Sequence, residues 1–118
     1  MGSSERRKGA EYEREVAGEF RAAGFDVDRV PNSGGLKVKG DIKANDSSLD
    51  GLHLECKRQE ILALPKWLRQ AHDEAEPGQT PVVIFRQSKQ RGQIGESHAV
   101  LPLAALIGLL GEVKMTEI

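Results

Sequence analysis

The chain has 118 residues, 38% hydrophobic and 30% charged, with a net charge of −1 and a single cysteine, Cys56. This suffices for one globular domain around one modest core and does not resemble a disordered chain. One cysteine excludes an intrachain disulfide framework and a cysteine-rich zinc site, and it fits a reducing, intracellular (cytoplasmic) setting. The longest apolar stretch, Ala99 to Leu110, is broken by Pro102 and Gly108 and is too short to span a bilayer. No cationic segment leads into an apolar one, so neither a membrane partner nor a secretion signal is expected.

In chain order, Lys8 to Ala23 predicts a helix, because Tyr12, Val16, Phe20 and Ala23 recur at helical spacing and Gly24 follows as a stop. Phe25 to Val30 alternates and predicts a strand. Pro31-Asn32-Ser33-Gly34-Gly35 is a loop by its turn residues. Strands are expected at Val38–Ala44 and Leu52–Lys57, joined by a polar turn through Asn45-Asp46-Ser47-Ser48. Leu64 to Ala75 predicts a helix with Pro65 in its first turn and Pro77-Gly78 beyond its end. Pro81 to Arg86 is a short β-branched run that predicts a buried strand, and Gln87 to Glu96 is a polar, basic loop. His98 to Leu101 predicts a short strand and Leu103 to Leu110 a helix. That last helix is apolar nearly all round, which predicts a core helix, with a homodimer interface as the alternative.

This order predicts a single α/β domain over residues 1–118, with a mixed central β-sheet flanked by helices and tails at 1–7 and 112–118. The first three strands are close enough in sequence to form a meander. The strand at Pro81–Arg86 follows a crossover helix and can pair parallel.

The chemistry concentrates on two predicted strands. Residues i and i+2 of a strand share a face, so Glu55 and Lys57 project together and Cys56 projects the other way. A hairpin between the strands can bring Asp41 beside Glu55. Two carboxylates and a lysine on one face suit a hard divalent cation, Mg²⁺ with Mn²⁺ as a substitute, and an activated water. The backbone carbonyl of Cys56 is a candidate third ligand, and an acid of Glu13-Arg14-Glu15 a candidate fourth. Lys57 would orient the water or neutralise developing charge. That set cleaves phosphodiesters. A second Glu-x-Lys, Glu112-Val113-Lys114, is an internal control: it lacks a preceding alternating strand, an upstream aspartate and basic flanks.

Charge distribution points the same way. Lys37, Lys39 and Lys43 surround Asp41, and Arg58 adjoins Lys57. Arg6, Arg7 and Lys8 form a basic start, and Arg86, Lys89 and Arg91 cluster later, while Asp73, Glu74 and Glu76 gather elsewhere. Basic residues flanking a carboxylate pair make a phosphate-binding face.

These motifs resemble the PD-(D/E)xK nuclease superfamily, which has a restriction-endonuclease-like fold. Within it the chain is similar to the Holliday junction resolvases of archaea and some of their phages. Arg7-Lys8-Gly9, the Glu13-Arg14-Glu15 element, Arg29, the Ser33-Gly34-Gly35 loop, Gly40-Asp41-Ile42 and Leu54-Glu55-Cys56-Lys57 occur in the family's order across about residues 6 to 86. The resemblance implies Glu13, Asp41, Glu55 and Lys57 as catalytic or metal residues, Ser33 near the scissile phosphate, and Arg14 and Arg29 facing DNA. It also implies four-way junctions or other branched DNA as substrate and a homodimer that places paired nicks. Gly40 stands where the superfamily name has proline. Alternatives are a flap or restriction nuclease of the same superfamily, or a non-catalytic DNA-binding module; intact Asp41, Glu55 and Lys57 argue against the last.

Around this set, Gln70 is a candidate accessory residue on the helix after the Lys57 strand, sharing a face with Lys66. Trp67 reads as core. His53 reads as lying on the solvent side of its strand or at the rim of the site, since it shares the parity of Glu55. Arg7, Lys8, Lys39, Arg58, Lys89 and Arg91 are candidate backbone-phosphate contacts.

Overall fold

The computed structural model describes residues 2–30, 40–58, 61–86 and 95–116. Its elements are α1 (Gly2–Ala22), β1 (Val27–Arg29), β2 (Ile42–Ala44), β3 (Leu52–Lys57), α2 (Leu64–Glu74), β4 (Thr80–Phe85), β5 (His98–Val100) and α3 (Leu103–Thr116). The strands form one mixed sheet in sequential order, β1 to β5. The first two pairings are antiparallel, β3 and β4 pair parallel across the α2 crossover, and β5 returns antiparallel. Meander, crossover and parallel pair all match the sequence reading. The loop holding Ser33 and Lys39, and the segment holding Lys89 and Arg91, lie outside the described residues.

Alternation sorts the core into two layers. Leu54 and Cys56 of β3, Val82 and Ile84 of β4, Val27 and Ile42 point to one face and meet Tyr12, Val16 and Ala17 of α1. Val83 points to the other face and meets Trp67 and Ala71 of α2. Trp67 is thus core, as its stripe predicts. The first helix begins at Gly2, earlier than its apolar spacing indicates, and Gly24 ends it with φ at +100°, which a residue with a Cβ adopts only with strain.

Two expectations need correction. Helix α3 is not a core helix: Leu103, Leu106, Ile107, Leu109, Leu110 and Val113 are all exposed, Leu103 to 70%. It also extends past Leu110 to Thr116. The physical reason lies in the layers: α1 and α2 already supply the helical side of both core clusters. His53 is not on the solvent side of β3, for it is only 2% exposed. Its face of the strand is the one that α2 covers.

Candidate metal and phosphodiesterase site

The site begins where β2 and β3 part. Their ladder pairs Ile42 with Leu54, and the Asp41 N–H donates to the Leu54 carbonyl at 2.8 Å. Antiparallel register therefore sets Asp41 across from Glu55. The next ladder position is taken by a side chain: the Cys56 N–H donates to Asp41 Oδ2 at 2.7 Å. In a strand the N–H and C=O of one residue point to the same edge, so the Cys56 carbonyl also turns toward this gap. Asp41, Glu55 and the Cys56 backbone thus lie together at one strand edge.

Gly40 makes this divergence. Its φ is +90°, a value that proline's ring forbids, and a Cβ there would stand 3.3 Å from the Leu54 carbonyl and 3.5 Å from the His53 ring. The departure from the superfamily's proline thus has a local cause: the backbone turns left-handed to enter β2 and leaves room for His53.

Electrostatics mark the spot. Burial pushes the Glu55 carboxyl up to about 9, assisted by the nearby Asp41 charge and by hydrogen bonding to Glu74 and Asp41. Burial also raises Asp41, while the Cys56 N–H, a Glu55 hydrogen bond and the Lys57 charge pull it back. Glu55 is 4% exposed. Closely packed buried carboxylates of this kind hold a proton or a cation, because mutual repulsion in low dielectric forbids full ionisation. The donor set is all-oxygen apart from His53, so the residues fit a hard divalent cation.

Glu13 reaches this edge from α1. Burial and then the Asp41 charge raise its carboxyl, and the Arg29 guanidinium offsets them through a 2.9 Å bond from Nε to Glu13 Oε1. Arg29 is therefore occupied by Glu13, and its expected role facing DNA has to compete with this ion pair. Lys57 shares the Glu55 face and acts on the Asp41 charge. Cys56 offers only its backbone: its thiol lies in the α1 core, where burial pushes its pKa far up.

Of the other candidates, Arg7, Lys8 and Arg14 lie on the exposed side of α1, and Arg58 is half-buried, with its Nε unpartnered among the described residues. Gln70 is half-buried on α2 and donates from Nε2 to Glu74 Oε1 at 3.5 Å, so it approaches the site through Glu74. Arg86 is drawn to α1, where Nη1 pairs with Glu15 at 2.7 Å and the guanidinium stacks 5.3 Å from the centre of the Tyr12 ring.

Sequence reasoning missed Glu74 and gave His53 only the solvent side of its strand or a place at the rim of the site. His53 Nε2 is hydrogen-bonded to Glu55 Oε1 at 2.8 Å. Glu74, assigned to a remote acidic cluster, brings Oε2 to 4.0 Å from the same nitrogen. A signal for Glu74 existed: it lies four residues after Gln70 and shares its helix stripe. The shared parity of His53 and Glu55 was the signal for the other.

A family model described as "Phage putative PDDEXK endonuclease" matches residues 4–103. No curated protein and no solved structure matches the chain. The match spans most of the chain and contains Glu13, Asp41, Glu55 and Lys57, and the chain belongs to this phage PDDEXK endonuclease family.

Proposed function

We propose that this phage-type PDDEXK endonuclease is a Mg²⁺-dependent, structure-selective nuclease that resolves four-way DNA junctions by paired nicks. The observation that carries the phosphodiesterase part is the pairing of Asp41 with Glu55 across the opening strands, with Lys57 on the Glu55 face. Asp41, Glu55 and the Cys56 carbonyl are the residues to hold the cation, with Glu13 behind them. When bound, such an ion supplies a nucleophilic water and neutralises charge on the scissile phosphate.

The chain's own groups do the positioning. The Cys56 N–H fixes the Asp41 carboxylate at 2.7 Å, so this acid does not need to reorganise, and His53 Nε2 lies 2.8 Å from Glu55. Lys57, two residues from Glu55 and on its face, orients the attacking water and offsets developing negative charge. Arg29 holds Glu13 until phosphate, also anionic, competes for the guanidinium. Arg7, Lys8, Arg14 and Arg58, with Ser33, Lys39, Lys89 and Arg91, contact backbone phosphates, which supports binding by shape without base readout.

Junction preference is supported by the order of the N-terminal motifs, and dimerisation by two facts. Resolution needs two nicks in two strands, which a twofold pair of chains supplies. Helix α3 also exposes leucines and an isoleucine that the described residues leave uncovered, including Ile107 at 59% and Leu110 at 59%. The test is incubation with a four-way junction, a flap, a single strand and a linear duplex, each with Mg²⁺. Preferential, symmetric cutting of the junction supports the reading. Equal or better cutting of flap or duplex makes the protein another branched-DNA or restriction-type nuclease, and binding without cutting makes it a DNA-binding module.

A further inference from the structure

We infer that His53, Glu55 and Glu74 form a second cation site, beside the Asp41–Glu55 edge, that takes a divalent transition-metal ion of the Mn²⁺ class. The inference deepens the nuclease reading and shares Glu55 with it.

Three ligand atoms, one from each side chain, lie within 4.8 Å of one another. Two ligand atoms each about 2.1 Å from one ion are separated by about 3.0 Å when adjacent and about 4.2 Å when opposite. The His53 Nε2 distance of 4.0 Å to Glu74 Oε2 lies inside that range, and its 2.8 Å to Glu55 Oε1 lies just below it, as expected of a hydrogen bond that an ion would replace. Drawing these atoms inward from within 4.8 Å of one another would let all three face one ion.

The surroundings hold the ligands still. The His53 side chain is 1% exposed and the Glu55 side chain 5%, so both are fixed by packing, and Glu74 arrives from α2 at 35% exposure and leaves a route for entry. Gln70 Nε2 donates to the other Glu74 oxygen and aims the carboxylate.

Ligand chemistry sets the metal class. One imidazole nitrogen with two carboxylates suits Mn²⁺, Fe²⁺ or Zn²⁺, whereas Mg²⁺ prefers oxygen donors alone. The Asp41 edge, with carboxylates and a carbonyl, is the oxygen site. The two sites differ in the one nitrogen donor, and this makes them separable.

The experiment titrates the full chain with Mn²⁺ in the absence of DNA, by calorimetry and by pulsed electron paramagnetic resonance. The wild type is expected to bind two Mn²⁺ ions, one showing nitrogen hyperfine coupling. His53→Gln and Glu74→Gln should each weaken one ion about tenfold or more and leave the other, and His53→Gln should lose the nitrogen coupling. Asp41→Asn should lose only the uncoupled ion. Thermal melting in chelator confirms that each variant folds. Persistence of the nitrogen signal in His53→Gln, or a wild type that binds a single uncoupled ion, overturns the second site. Loss of the coupled ion in His53→Gln alongside unchanged binding in Asp41→Asn would instead keep this site and sink the metal reading of the Asp41 edge.

Discussion

Replacing Glu55 by glutamine should abolish cleavage and yet stabilise the protein in chelator. Glu55 ordinarily titrates near 4.5 and is pushed up to about 9 here, chiefly by burial and by Asp41. Its folded pKa is raised, so its contribution is at its most favourable below about pH 4.5, falls as pH rises, and is fully lost above about pH 9. At pH 7.5 the unfolded carboxylate is ionised, and folding must take up a proton. Three units between 4.5 and 7.5, at 1.36 kcal/mol each, give a ceiling of about 4 kcal/mol, and about 1 kcal/mol at pH 5. Asp41 shares the same conflict, so part of the strain stays with it, and a gain of roughly 2–3 kcal/mol at pH 7.5 is expected. Glutamine keeps the shape and can still accept the His53 bond. Urea denaturation of both proteins with chelator at pH 5 and pH 7.5 measures this. A Glu55→Gln protein that is less stable than wild type, or a difference that does not grow with pH, refutes the account of buried carboxylate repulsion. Added Mg²⁺ should raise the wild-type midpoint and leave the variant's unchanged, since only a bound ion shifts unfolding by mass action.

Other perturbations test separate parts of the argument. Lys57→Met should leave Mn²⁺ titration intact and reduce single-turnover cleavage by about 10²-fold or more, as expected for a group aimed at developing charge; cleavage within a few-fold of wild type would remove that role. Gly40→Ala should cost about 1–3 kcal/mol in chemical denaturation, because an L-residue is strained at φ +90° and its Cβ meets the Leu54 carbonyl at 3.3 Å; a neutral effect would show that the turn relaxes freely. Leu106→Glu with Leu110→Glu should shift sedimentation equilibrium toward monomer and leave the far-ultraviolet spectrum unchanged, whereas a wild type that is already monomeric at tens of micromolar, roughly a moderate protein–protein affinity, would remove the dimer. Arg29→Ala removes the ion pair with Glu13 and should lower stability in urea denaturation by only about 1 kcal/mol, the range for a partly exposed pair, whereas a loss of several kcal/mol would show that the pair holds the fold.

The local record in the residues was enough for the strands, the crossover and the pairing of Asp41 with Glu55. Those features rest on short-range rules: alternation assigns faces, glycine and proline end elements, and a polar turn returns the chain antiparallel. Leu52 to Lys57 is the clearest case, with strand bounds, parity and neighbour all readable. What stayed hidden depended on contacts remote in sequence. His53 and Glu55 share one face, and the sequence itself cannot say whether water or α2 covers it. The tertiary structure decided that α2 does, which buries His53 and carries Glu74 to it across 21 residues of chain. The same reasoning accounts for α3. An apolar helix fits equally in a core or on an open surface, and it stays outside because α1 and α2 have taken the two faces of the sheet. Periodicity in a sequence reports which residues share a face, whereas only packing determines what that face meets.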